Sequence, residues 1–174
     1  VYLPTHDAFA GFTLGKDSVN GAMEGILGGK LVPAILDAGY GFDFIDDGAI
    51  AAGGVPHQIL VVPGVERIPL ATYQKIEEYA QKGGKVIFTK RLPSLAPGLR
   101  EEGDTAKIRE LSAKHQLTDE DKLGDALHAA LPADFTTPPE IGVVHRKLAY
   151  ADVYFVANTS NRPVKAVAKF RAAG

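Results

Sequence analysis

The chain has 174 residues with 45% hydrophobic and 23% charged side chains, enough apolar material for a real core without covalent staples. Nineteen basic and 21 acidic residues leave a formal charge of −2, so no nucleic acid partner is expected. No apolar run reaches the roughly 18 residues a membrane span needs, and zero cysteines exclude disulfides, thiolate metal sites and a cysteine nucleophile.

In chain order, Val1 to Leu3 reads as a short buried strand, followed by a loop from Pro4 to Phe9. From Asp17 to Ala38 apolar residues recur near helical spacing, with Asp17 or Ser18 as the cap. Gly28, Gly29 and Pro33 predict a kink or two shorter helices there, and Gly39 stands where a helix-terminating glycine belongs. Phe42 to Ile45 is a second strand, with Asp46 and Asp47 at its carboxyl end and a helical turn over 49–52.

Residues 58–93 are the most explicit stretch. Apolar Ile59 to Val62 runs into Pro63-Gly64, an amphipathic helix begins near Pro69, Gly83-Gly84 ends it, and Lys85 to Thr89 is again apolar. That is one β-α-β unit, and it implies a parallel sheet flanked by helices.

Beyond Arg91 a turn-rich loop leads into a charged stretch, 105–131, that reads as two helices broken near 116–119, within an insertion at about 100–132. Pro132, Pro138 and Pro139 form a linker. The segments 142–148, 152–158 and 164–170 alternate at period two and predict three antiparallel strands, with 159–163 as the turn between the last two. The division is therefore an α/β domain over 1–137 and antiparallel strands over 138–174. If those strands open a second domain, Val153, Phe155 and Val167 stand without a partner, and the chain is expected to self-associate as a homo-oligomer.

Open α/β sheets bind ligands beyond the carboxyl ends of their strands. His6, Asp7, Asp46, Asp47, Arg67 and Arg91 all map to that edge and suit hydroxyl recognition by charge-assisted hydrogen bonds. Asp46-Asp47 could hold a divalent cation, although a solvated turn with a helix cap is the plainer reading. His6-Asp7 is a candidate acid/base pair without a visible third partner. His145 and Arg146 are neighbours in a strand, so they face opposite sides of it, and Arg146 suits pairing with an interface carboxylate. The strand-to-helix turn 88–93 carries no nucleophile, and neither a phosphate-binding loop nor a dinucleotide fingerprint is present, so no cofactor is expected.

The runs LPTHDAFAGF, AGYGFDFIDDGAI, ILVVPGVERIPLATYQKIEEYAQKGGKVIFTKRLPSLAPG and VVHRKLAYADVYFVANTSNRPV resemble large bacterial glycoside hydrolases, nearest the α-L-rhamnosidase type of family 106. The resemblance spans nearly the whole chain outside the charged insertion, with Lys90 where the family loop has glycine. It implies a flavodoxin-like, class I glutamine amidotransferase-like sheet that follows a catalytic (β/α)₈ barrel and precedes a β-sandwich begun by residues 140–174. The chain starts at Val1 and is read as a piece of such a longer protein, with a periplasmic or secreted setting. The family's catalytic carboxylates belong to the barrel, so no catalytic residue and no metal ligand is carried over. His145, Arg146 and Asn158 match the family's HR and YFVAN pattern as interface candidates, without an assigned role. The expected function is a non-catalytic accessory domain that contacts the barrel and sandwich of its parent, with a carbohydrate-binding module as the alternative. An independent hydrolase using His6 or His145 is the weakest reading.

Overall fold

A computed structural model of the chain describes residues 1–171. Its centre is a parallel sheet in the order β1 (Ile59–Pro63), β2 (Lys85–Thr89), β3 (Leu117–Thr118). Ile59 stands opposite Lys85 and Pro63 opposite Thr89, and Phe88 stands opposite Leu117. Because β1 and β2 are covered on both faces, their apolar residues run continuously instead of alternating with polar ones. Leu60, Val62 and Phe88 join Tyr2, Tyr73, Ile76 and Ile108 on one face. Val61 and Ile87 join Leu31, Ile35, Leu123 and Leu127 on the other.

Extended backbone continues the hydrogen bonding past β1. Tyr2 N–H donates to the Val61 carbonyl at 2.8 Å, and Leu3 N–H donates to the Ile45 carbonyl at 2.9 Å. The two expected N-terminal strands are thereby reduced to a single parallel bridge, Tyr2 with Ile45. The expected loop after Leu3 is instead helix α1 (Thr5–Gly11), whose Asp7 and Ala8 are buried. The kink forecast for the next segment is a full break between α2 (Val19–Leu27), capped by Ser18, and α3 (Leu31–Asp37). Gly28 stands between them at φ +74°, a conformation that favours glycine. Helices α4 (Asp47–Gly53) and α5 (Leu70–Gln81) follow, the latter being the β1–β2 crossover that buries Thr72, Tyr73 and Ile76.

Lys90, immediately after β2, holds φ +62°. Its ammonium donates to the carbonyls of Ile26 at 2.8 Å and Leu27 at 3.0 Å, so a cation closes the carboxyl end of α2. That anchor accounts for a long side chain in a left-handed position.

The charged stretch holds α6 (Thr105–Ser112) and α7 (Leu123–Ala130), two helices as the pattern predicts. The break between them forms β3, and Ile108, Leu123 and Leu127 are core residues, so the stretch read as an insertion helps to build the sheet and both of its faces.

Past the prolines, β4 (Phe135–Thr136) precedes the antiparallel pair β5 (Ile141–Lys147) and β6 (Asp152–Asn158). The third expected strand shrinks to β7 (Lys169–Phe170), and it pairs with β4 and not with β6. The turn explains the difference. Asn158 and Ser160 bond Arg162 across it, and Pro163 has no N–H to extend a ladder, so the chain leaves the hairpin. Val144, Val153 and Phe155 share the outer face of the hairpin and are exposed, as is Val167.

A core tyrosine, Tyr73, gives the fold an alkaline limit. The single proton of Ser112 goes to the Pro93 carbonyl, so the Tyr73 hydroxyl donates to Ser112, 2.9 Å away. Burial pushes the Tyr73 phenol up from 10.0 to about 12. A raised phenol contributes stability that is present below pH 10 and lost as pH climbs through its folded value. Tyr73→Phe should therefore remove on the order of 2 kcal/mol of the stability lost between about pH 10 and 12. Urea unfolding at stepped alkaline pH measures it, and an unchanged pH slope in the variant contradicts it.

Candidate functional site

Strand ends and two helices bring six polar side chains together at the carboxyl edge. The loop after β1 delivers Glu66 and Arg67, α1 delivers His6 and Asp7, α4 delivers Asp47, and the turn after β2 delivers Arg91. Asp7, 6% exposed, accepts the Glu66 backbone N–H at 2.7 Å. Arg67 lies 3.6 Å from Asp7 and 2.6 Å from the Glu66 carboxylate. Arg91 donates through Nε to the Gly64 carbonyl at 2.8 Å, and its Nη1 stands 3.7 Å from Glu66.

Asp47 forms the second half of the edge. One of its oxygens accepts the Tyr2 hydroxyl at 2.9 Å and the Thr72 hydroxyl at 2.7 Å, while His6 lies 3.7 Å from the other. Burial, and then the Asp47 charge, push the Tyr2 phenol far above its ordinary value, so it stays a proton donor. Asp46 is not part of this network. It caps α4 by accepting Ala49 N–H at 2.8 Å, the plainer of the two readings of the Asp-Asp pair.

Five of the six residues placed at this edge by sequence thus fall in two groups, Asp7, Arg67 and Arg91 about Glu66, and His6 and Asp47 with Tyr2 and Thr72; sequence reasoning passed over Tyr2, Glu66 and Thr72. Tyr2 carries a signal in retrospect, a phenol inside a buried strand that needs an acceptor. Glu66 and Thr72 carry none, because their partners lie far away in the chain.

A second polar cluster sits at the opposite, amino edge of the sheet. His145 is mostly buried, stacks on Tyr154 at 4.3 Å, and its Nε2 lies 2.8 Å from Asp152. Its Nδ1 lies 3.6 Å from Asp134, which also takes Arg171. Arg146 turns outward, 70% exposed, with Asp43 at 3.7 Å. Asn158 serves the turn after β6 by bonding Arg162 and Ser160. A cavity of about 460 Å³ opens between this hairpin and the start of β1. Among the described residues no group of three or more histidines and carboxylates is arranged to hold a metal ion, and no helix is long and apolar enough to cross a membrane.

The described residues form a mixed α/β scaffold, a three-stranded parallel sheet with antiparallel strands appended. Residues 32–174 match the model of glycoside hydrolase family 106, described as alpha-L-rhamnosidase, and the chain belongs to that family. It is also similar to a protein of Formosa agariphila that carries the provisional name beta-glucuronidase, at 28% identity over 161 residues. That match covers 81% of this chain but only 14% of the relative, so the chain spans about a seventh of the relative's length. No solved structure matches the chain significantly.

Proposed function

We propose that this chain is a non-catalytic accessory domain of a large glycoside hydrolase that cleaves O-glycosyl bonds, α-L-rhamnosides being the favoured substrates. One observation carries the reading: the carboxylates at the ligand edge already accept hydrogen bonds from the scaffold. Glycoside hydrolysis uses two carboxyl groups, one to protonate the leaving oxygen and one to attack or to activate water. Here Asp7 is committed to the Glu66 N–H and Asp47 to two hydroxyls, so both tie loops to the sheet. The chain's seventh share of its relative's length supports reactive groups carried elsewhere in the parent, with this domain contacting the catalytic barrel and a sandwich.

The finer fold reading is flavodoxin-like, of the kind found in class I amidotransferase domains. It is supported by the backbone bonds of Tyr2 to Val61 and Leu3 to Ile45, which extend β1, β2 and β3 on the β1 side. Counted as strands, the segments at Ile45 and Tyr2 would precede β1, β2 and β3 in the order second, first, third, fourth, fifth, the order of doubly wound sheets with a single switch point.

The purified 174-residue chain should show no turnover of p-nitrophenyl α-L-rhamnoside or p-nitrophenyl β-D-glucuronide above buffer. Turnover that persists through purification overturns the accessory reading.

A further inference from the structure

Helix α2 differs from its neighbours in how little of it is anchored. α1 buries Asp7 and Ala8, α3 buries Leu31 and Ile35, and α2 between them buries no residue. Among the described residues of α2, Leu27 is the one that packs against either core cluster. Its nine residues include Gly21 and Gly25, which weaken a helix too short to persist unaided. The segments on either side carry glycines at positive φ, Gly15 at +83° and Gly28 at +74°. α2 is thus a weak helix suspended between two anchored ones.

Its carboxyl end lies on the edge at which open α/β sheets bind ligands. The Ile26 carbonyl oxygen is 3.1 Å from the place a Cβ would take at Gly64, in the turn after β1. The Lys90 ammonium, from the turn after β2, donates to the Ile26 and Leu27 carbonyls at 2.8 and 3.0 Å. That ammonium has a second acceptor within reach. Oε1 of Glu120 lies 3.6 Å from it, is shut off from solvent, and accepts no hydrogen bond among the described residues. A buried carboxylate oxygen without a donor is costly, so Glu120 competes with α2 for one cation.

We propose that α2 is a lid over the carboxyl ends of β1 and β2, latched by Lys90, with Glu120 as the acceptor that takes the ammonium when the lid lifts. In the closed arrangement the ammonium holds the two helix carbonyls and Oε1 of Glu120 goes unsatisfied. In the open one it turns to Glu120, and the carbonyls of α2 go to water. Two neutral acceptors are thereby exchanged for one charged acceptor, so a modest bias decides between the arrangements. Opening uncovers the main chain of Gly64 and Lys90 at the strand ends. The lid goes beyond the accessory reading and does not depend on it, since a domain without turnover can still gate this edge.

Amide hydrogen exchange on the 174-residue chain tests it, with α5 as the internal reference for global unfolding. The amides of residues 23–28 should exchange at least about a hundredfold faster than those of 74–81, because the lid opens without the core. Lys90→Gly keeps the left-handed turn, since glycine favours φ +62°, and removes only the latch. It should speed exchange in 23–28 at least about fivefold with α5 unchanged. Glu120→Gln takes the charge from the competing acceptor and should slow exchange in 23–28 at least about twofold. Opposite signs mark a latch, since an ordinary ion pair loosens its surroundings whichever partner is removed. Equal exchange in α2 and α5, an acceleration in Lys90→Gly that is absent or shared by α5, or failure of Glu120→Gln to slow α2 overturns the lid.

Discussion

Gly39→Ala is expected to lower stability by more than about 3 kcal/mol and to release the C-terminal strands from the α/β unit. Gly39 holds φ +89°, and a Cβ added there would stand 2.0 Å from the Phe135 carbonyl oxygen and 3.2 Å from the Ala133 Cβ. The obstructing atom is backbone, so it cannot rotate away. The same residue's carbonyl accepts the N–H groups of Asp134 at 2.9 Å and Phe135 at 3.2 Å. Relieving the clash therefore breaks the bonds that dock β4, and β4 is the partner of β7. Gly15→Ala is the matched control. It has a similar φ of +83° but nothing within 4 Å of the added Cβ, so it should lose only the conformational preference, about 1 kcal/mol. Urea unfolding of both variants measures the contrast, and limited proteolysis near 134–140 reports release of the strands. Equal losses in the two variants would mean that the close approach at Phe135 carries no stability.

The same region shows where the sequence is legible. The β-α-β unit is readable because its information is local: two apolar runs, a proline at the helix start and paired glycines at its end all point to one answer. The break between α2 and α3 is readable for the same reason, as Gly28 and Gly29 interrupt a helical period. β3 is not. It is two residues long, Leu117 and Thr118, and it exists because the end of β2 offers a free edge, which a charged flanking sequence does not announce. α1 is missed because seven residues with a small apolar content carry too little periodicity to separate a helix from a loop. The pairing of β7 with β4 is non-local, joining Phe135 to Phe170 across 35 residues of sequence, and alternation gives no hint of which edge a strand will choose.

The candidate site divides along the same line. Strand-end position predicts that His6, Asp7, Asp46, Asp47, Arg67 and Arg91 gather at one edge, because parallel topology fixes where strand ends go, and of these Asp46 instead caps α4. Whether such groups face solvent or one another depends on the side chains that meet them, and those are Tyr2, Glu66 and Thr72, remote in sequence. The amino-edge cavity was invisible for a related reason, since it needs β5 to fold back beside residues 41–43, a contact that no local pattern encodes.

Asp7→Ala separates a structural edge from a ligand-ready one. If the edge is a lock, the variant loses the acceptor of the Glu66 N–H and one of the two carboxylates beside Arg67. A buried donor left without a partner, next to a half-buried cation, costs about 2–4 kcal/mol. Asp7→Asn should retain more than half of that stability, because its amide oxygen can still accept the Glu66 N–H at the same place. The Arg67 contact contributes the smaller share, being 3.6 Å long and to a guanidinium that is 31% exposed. A residue held ready for a ligand behaves differently: its removal leaves the free protein as stable as before or more so, since binding groups are kept at the expense of stability. Urea midpoints of the parent chain, Asp7→Ala and Asp7→Asn decide between the two. A loss below about 0.5 kcal/mol for Asp7→Ala would contradict the lock and return the carboxyl edge to consideration as a binding surface.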